Sequence, residues 1–457
     1  MNYYQLLKKW AERQPEKLFL AVDGTKWNYR EALTQTDRLA GRLRNCLANR
    51  RQGGVLVLAD TPMGQLLGFF ALQVLSVRPI LLHHGMPEHE VAAILRENRL
   101  QGLLTLTENH KSCAAGSVCF TEEKGENTEG GIFPEKDDIL GVLSSGSTGT
   151  PKVMYRTYES WAGFFPVQNA VFHVTRETKL FLQGSLSFTG NLNSLLSALY
   201  AGGSIITSRK IHCRQWTSLI ERWQADVIYL VPAKLQLLAA AAARQLTSVR
   251  ALFTGSQLLS PRNLRELQRL LPNAELILYY GASELNYITY AVCDDPDRDP
   301  CNLGRPFPGI RVTVKDGLIY VDTPYHVSGA KIPFTVKDTG RLNEKGELIF
   351  GGRRDAWINK GGYKISTLRL ENEIRAIDGV REAVVIPCRD ALRGSTAAAF
   401  VVPEQQAGIP AVRSAIRQAL KPAEVPDVIR FLPHIPRNDR GKADCRTLRA
   451  MLGSRSI

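Results

Sequence analysis

The sequence lacks any Cys-x-x-Cys pair and any His-Glu-x-x-His, so its eight cysteines (46, 113, 119, 213, 293, 301, 388 and 445) do not have zinc-site spacing. No run of five like charges occurs, which argues against a basic nucleic-acid tail despite a net charge of +14. Long apolar runs are missing too. The most apolar stretch, residues 55–82, is broken by Asp60, Gln65, Gln73 and Arg78, so it predicts no membrane span. The first residues reach Lys8, Lys9 and Glu12 before any apolar run, unlike a signal peptide. A reducing, cytoplasmic setting is the expectation.

What is present is globular. Hydrophobic residues make up 44% and charged residues 22%, and 457 residues suffice for two to four domains. The +14 excess permits an acidic partner without choosing one: nucleic acid, an anionic membrane surface, a phosphorylated ligand or an acidic protein. Residues 353–457 hold 19 Lys and Arg against 11 Asp and Glu, so +8 of the +14 lies in under a quarter of the chain.

Strand-like apolar runs at 54–58, 78–82, 226–231, 249–254 and 275–280 alternate with helical stretches at 62–75, 233–245 and 260–271. Ser260 followed by Pro261 suits a helix cap and first turn. This alternation predicts an α/β fold with parallel sheets covered by helices on both faces. After residue 300 the texture changes to short strands at 310–314, 318–321 and 347–350, as in a small antiparallel barrel. From 353 an α+β unit follows, with strands near 363–365, 383–387 and 397–402 and helices near 368–377 and 409–420. The reading is a large N-terminal domain, 1–351, and a small mobile C-terminal lid, 352–457. Paired glycines beside charges place the hinge near Asp355. Residues 121–131 read as a polar surface loop.

The most informative stretch is Ser144-Ser145-Gly146-Ser147-Thr148-Gly149-Thr150-Pro151-Lys152. Glycines let backbone N–H groups turn to an anion, hydroxyls add donors, and the lysine adds charge. It is not a Walker A loop, because Val153 stands where a magnesium-binding Ser or Thr would follow the lysine. Four further segments accompany it in order: Tyr280-Gly281-Ala282-Ser283-Glu284 after a strand, Asp338-Thr339-Gly340-Arg341 in a turn, Gly352-Arg353-Arg354-Asp355 before Gly361-Gly362-Tyr363-Lys364-Ile365, and Arg437-Asn438-Asp439-Arg440-Gly441-Lys442.

Over nearly its whole length the chain resembles the adenylate-forming superfamily: acyl- and aryl-CoA synthetases, aryl-acid adenylating enzymes and peptide-synthetase adenylation domains. The resemblance implies ATP and Mg²⁺. It implies that Ser144, Ser145, Gly146, Ser147, Thr148, Gly149 and Lys152 form the phosphate loop, and that Gly255, Ser256 and Gln257 line the adenine pocket. By the same resemblance Tyr280 with Gly281 stacks on adenine, Ser283 meets the α-phosphate and Glu284 binds magnesium. Asp338 would grip the ribose, Arg353 ribose and phosphate, and Lys442 would bridge α-phosphate and carboxylate in the adenylation step.

The chain departs from the family pattern at Val153, Val336-Lys337, Thr367 and Arg369, while Glu371 is kept. These departures touch the second half-reaction more than the first.

Members that take α-amino acids place an Asp after Phe near a helix start. Here that segment is Ser187-Phe188-Thr189, without a carboxylate, which argues against an amino acid. Ser185, Ser187, Thr189 and Asn191 around Phe188 suit either a phenolic hydroxyl or helix capping. An aromatic acid, hydroxybenzoate- or hydroxycinnamate-like, is favoured over a fatty acid. The thiol acceptor is read as an acyl carrier protein, which is acidic, with CoA as the alternative. A nucleotide-binding homologue without catalysis is the reading from another class. No nucleic-acid partner is expected.

Overall fold

A computed structural model describes the chain except residues 48–52, 108–116, 123–136, 145–149, 361–362, 391–393, 406–407, 439–441 and 453–457. Its described residues pack as two compact units. One comprises Met1–Pro300, Pro306–Arg311 and Asp322–Ile332; the other comprises Cys301–Arg305, Val312–Val321 and Pro333–Ile457.

The first unit is built on two mixed sheets. In one, Gly102–Thr107, Gly54–Ala59, Arg78–Leu81 and Asp138–Leu143 run parallel side by side, and antiparallel strands Ser117–Glu122 and Val153–Thr157 close its edges. Successive side chains on a strand point to opposite faces. Accordingly Leu56 packs with Val91, Ile94 and Leu95 of the helix Glu88–Glu97. Its neighbour Val57 lies against Gly68 of the helix Pro62–Val74, so close that a Cβ there would sit 2.6 Å from it. Helices cover both faces, which is why these strands read as unbroken apolar runs.

In the second sheet, Leu18–Val22, Ser204–Ser208, Lys179–Gln183, Val227–Tyr229, Ala251–Thr254 and Glu275–Ala282 lie side by side in that order and parallel. Thr25–Asn28 and Asn286–Val292 flank them antiparallel.

Capping sets the helix starts. The Ser260 hydroxyl accepts from Asn263 N–H at 3.2 Å with Pro261 in the first turn, as expected. The expected helix at 233–245 instead ends as Pro232–Ala241. The chain turns there so that Leu246 is buried and its N–H donates to the Leu270 carbonyl at 2.8 Å, an outcome that propensity along an Ala/Leu-rich segment does not reveal.

In the second unit, Arg311–Lys315, Leu318–Asp322, Asp338–Leu342 and Leu348–Arg353 form an antiparallel sheet. Asp338 to Arg341, expected in a turn, are therefore strand. The turn comes later, at Asn343 to Gly346, where Gly346 has φ +73° and its N–H donates to the Asn343 carbonyl. Likewise Thr121 and Glu122 end the strand Ser117–Glu122 rather than opening a loop; the remainder of that expected loop lies outside the described residues.

The C-terminal strands Val380–Asp390 and Gly394–Pro403 form a long hairpin. Ala383 and Val385 face the helices Thr367–Arg375 and Ile409–Ala419, while Val384 and Ile386 face Leu448 on the opposite side. No helix among the described residues is long and apolar enough to cross a membrane.

Candidate active site

Adjacent parallel strands bring their carboxyl ends to one edge of a sheet, which is where open α/β folds bind ligands. In the second sheet of the first unit, four such ends are neighbours: Lys179–Gln183, Val227–Tyr229, Ala251–Thr254 and Glu275–Ala282. The segments leaving them carry Ser187 to Thr189, Lys234, Gly255 to Gln257, and Ser283 with Glu284. The structure therefore gathers the segments expected for the acid, the adenine and the α-phosphate along one rim of this sheet, while Ser144 and Lys152 lie at strand ends of the other sheet.

Close approach explains the glycines there. A Cβ on Gly255 would stand 2.5 Å from the Tyr279 ring, and one on Gly281 2.6 Å from the Asn286 carbonyl oxygen. Tyr280 and Gly281 are the last part of the strand rather than the residues after it. Ser283 and Glu284 fill the tight connection to Asn286–Val292, closed by Leu285 N–H on the Ala282 carbonyl. Ser256 holds φ +71°, a left-handed conformation that costs a non-glycine residue energy. Beneath them the buried Tyr229 and Tyr279 hydroxyls are 3.0 Å apart, and burial raises both phenols, Tyr229 to about 12, so both stay neutral hydrogen-bonding groups.

Ser283 joins two segments far apart in sequence. Its hydroxyl lies 3.1 Å from that of Thr189, at the start of the helix Thr189–Ala201. Its carbonyl accepts from Arg156 at 2.6 Å. Arg156 is fully buried, also reaches the Ser160 hydroxyl and the Tyr325 carbonyl, and lies 5.1 Å from the Trp161 ring centre. Burial pulls its guanidinium down to about 10, while Tyr3 and Glu284 act the other way. Thus a cation stands behind the Ser283–Glu284 turn. The sequence reading missed it; its one signal was an arginine inside an otherwise apolar strand directly after the phosphate loop.

In the segment expected to bind phosphate, Ser144 N–H donates to the Lys152 carbonyl, and Lys152 N–H donates to the Ser144 hydroxyl, both at 2.9 Å. Thr150 donates to Glu97 at 2.8 Å. Ser145, Gly146, Ser147, Thr148 and Gly149 lie outside the described residues.

The small polar residues around Phe188 are committed to one another. Gln65, buried, donates to the Ser185 hydroxyl and accepts from Leu186 N–H; Ser187 meets Ser185 at 2.9 Å; Asn191 donates to the Ser185 carbonyl at 2.9 Å. Phe188 lies 5.9 Å from His83, ring centre to ring centre. Gln65 and His83 were not foreseen, because both come from the first sheet's side of the chain.

Lys234 was also missed. Mostly buried, it donates to the Gln183 carbonyl at 2.7 Å, and no carboxylate among the described residues pairs with it. Burial lowers its pKa to about 8. An unfolded lysine titrates higher, so below about 8 the folded state carries the cost of a desolvated ammonium, and stability rises with pH from there towards the unfolded value. Lys234→Met is therefore expected to raise the thermal unfolding midpoint at pH 7, with a gain that shrinks as pH rises through 8 to 10. A gain independent of pH would contradict a charged Lys234.

In the second unit, Asp338 is buried and faces Arg353 across the hairpin, with Arg353 Nε 3.7 Å from Asp338 Oδ1. Asp355 belongs to the 3-10 turn Arg354–Ala356; Gly361 and Gly362 lie outside the described residues. Lys442 is exposed. Its N–H donates to the Asn438 side chain at 3.1 Å, its carbonyl accepts from Asn438 N–H at 2.8 Å, and Arg437 and Ala443 form an antiparallel bridge beside them. Glu371 accepts from Arg375 and Val385 N–H, tying its helix to the sheet. Among the described residues no group of three His, Cys, Asp or Glu clusters as a metal cage.

Residues 7–330 match the family model described as AMP-binding enzyme, and residues 369–442 match the AMP-binding enzyme C-terminal domain. An uncharacterized acyl-CoA ligase of Bacillus subtilis, YhfT, is 27% identical over 328 residues, 68% of each chain. The vibriobactin-specific 2,3-dihydroxybenzoate-AMP ligase of Vibrio cholerae is 25% identical, covering 97% of this chain and 92% of its own. The crystal structure of ATP-bound MatB from Rhodopseudomonas palustris shares the fold, with a TM-score of 0.84 over 99% of both chains at 22% identity. The chain belongs to the AMP-binding enzyme family, whose members are ATP-dependent, AMP-forming ligases.

Proposed function

We propose that the protein activates an aromatic carboxylic acid, hydroxybenzoate- or hydroxycinnamate-like, as its acyl-adenylate and passes the acyl group to the phosphopantetheine thiol of an acyl carrier protein. The observation that carries this is the 3.1 Å meeting of Thr189, from the segment assigned to the acid, with Ser283, from the segment assigned to the α-phosphate. A carboxylate oxygen placed there attacks the α-phosphorus, pyrophosphate leaves, and a mixed anhydride with AMP remains. The dihydroxybenzoate-AMP ligase among the relatives supports an aromatic hydroxy acid.

Each residue then has a role. Tyr280 stacks on adenine over Gly255, Ser256 and Gln257, and Asp338 with Arg353 binds the ribose. Lys152 and the phosphate loop hold the β- and γ-phosphates. Ser283 donates to the α-phosphate. The half-buried Glu284 follows Ser283 directly in the chain and supplies the carboxylate for a divalent cation, with the Arg156 guanidinium near enough to interact with it. Mg²⁺ bound there would offset repulsion between phosphate and carboxylate. Lys442 reaches the reacting oxygens during adenylation, and residues 352–457 turn about Asp355 to admit the thiol. The enzyme works in the cytoplasm.

Pyrophosphate release from ATP across a panel of carboxylic acids tests the first half. AMP is the expected product; ADP would reject the mechanism, and no turnover with any acid would favour a silent nucleotide-binding homologue.

The acceptor is tested by single-turnover thioester formation. The +8 charge of residues 353–457 attracts an acidic carrier protein over distances that salt screens beyond about 8 Å at 0.15 M. Transfer to the carrier is expected to weaken steeply with salt, and adenylation hardly at all. A rate with CoA equal to or above the carrier rate at low salt would make the protein a CoA ligase, as the acyl-CoA ligase relative would suggest.

A further inference from the structure

We infer that Lys234 reads the far end of the substrate: the acid carries, away from its reacting carboxylate, a second oxygen able to bear negative charge, and the Lys234 ammonium donates to it. The inference rests on the adenylation reading above and narrows its substrate.

The small polar side chains from Ser185 to Asn191 each already have a protein partner, and a hydroxyl offers a substrate oxygen one donor at most. Ser185 bonds Gln65 and Ser187, Asn191 bonds the Ser185 carbonyl, and Thr189 meets Ser283. Lys234 differs. An ammonium has three N–H donors, and Lys234 places one on the Gln183 carbonyl. Among the described residues no carboxylate balances its charge, and burial alone shifts it.

Lys234 lies in the first turn of the helix Pro232–Ala241, which follows the strand Val227–Tyr229 at the ligand-binding rim. Its Nζ crowds Gly184, where an added Cβ would stand 2.8 Å from both Lys234 Nζ and Asn191 Nδ2. Gly184 has φ +129°, so the chain turns there in a conformation that suits glycine and leaves the ammonium beside the backbone. Thr189, which meets Ser283, and Asn191, which flanks the ammonium, share the first turn of one helix. A short element thus places Thr189 beside Ser283 and Asn191 beside Gly184, where the Lys234 ammonium also stands.

A lysine desolvated without a counter-charge is costly unless a ligand supplies one. An acid lacking the second oxygen leaves that ammonium bare in the complex, and sites built this way discriminate strongly against the missing group. A phenolic oxygen and a second carboxylate share this chemistry.

The test measures AMP formation by the full-length protein with ATP and Mg²⁺, using benzoate, its three monohydroxy isomers, the three benzenedicarboxylates, and six-carbon aliphatic acids with and without a terminal hydroxyl or carboxylate. At least one acid with the second oxygen is expected to exceed its unsubstituted parent in kcat/KM by about 10- to 100-fold, the scale of one charge-assisted hydrogen bond. Lys234→Met is expected to collapse that ratio towards one, mainly through KM, and Lys234→Arg to restore part of it. A preference for hydroxy acids identifies the phenolic source, and one for diacids the carboxylate source.

A ratio equal in wild type and Lys234→Met overturns the inference while leaving adenylation intact. A wild type that prefers the unsubstituted acids overturns it as well. A wild type that makes no AMP from any acid removes the adenylation reading, and this one with it. Since Lys234→Met is expected to be at least as stable as wild type, loss of folding does not mimic the predicted loss of selectivity.

Discussion

Lys442→Ala is expected to slow acyl-adenylate formation by on the order of 10²–10³, the usual effect of removing one preorganised group that stabilises developing charge. Thioester formation from supplied acyl-adenylate should fall far less. Lys442 is exposed, and its hydrogen bonds to Asn438 run through its own backbone, so truncating the side chain leaves those bonds in place. The measurement is burst-phase pyrophosphate release beside single-turnover thioester formation. Equal losses in both steps would mean that Lys442 does not act in the first step alone, and the lid mechanism would fail.

Arg156→Ala should have the largest effect on the folded state. The guanidinium is fully buried and bonds the Ser283 carbonyl, the Tyr325 carbonyl and the Ser160 hydroxyl. Its removal strands these acceptors and leaves Glu284 without the cation behind it. Breaking a buried charged network typically costs about 3–5 kcal/mol. The urea midpoint of the first unit should drop accordingly. Adenylation should fall even where the variant is folded, because the Ser283–Glu284 turn loses its support. Arg156→Lys should recover stability in part, since lysine keeps the charge but not the planar fork of donors. A variant with wild-type midpoint and wild-type activity would show that this arginine supports neither.

The sequence by itself determined much. Alternating apolar strands and helices are dictated by local period and burial on two faces, so the α/β class and most element positions follow from pattern alone. Ordered motifs from Ser144 to Lys442 sufficed for the family, because each is a short run of residue types legible without any distant partner. Even the cap at Ser260 was legible, since it depends on neighbours three residues away.

Only tertiary structure decided what depends on distant partners. The helix from Pro232 stops at Ala241 because Leu246 has a burial site prepared by Leu270, far along the chain. Asp338 is strand because its partner is Arg353, across a turn whose place propensity did not mark. The serines around Phe188 suited either a phenolic hydroxyl or helix capping in sequence; in the fold Gln65, 120 residues from Ser185, bonds Ser185, which in turn meets Ser187. Arg156 and Lys234 are ordinary basic residues in one dimension. Folding buries each cation, Arg156 against acceptors from Ser283 and Tyr325 and Lys234 beside the Gln183 carbonyl, and that desolvation sets both apart from solvated surface charges.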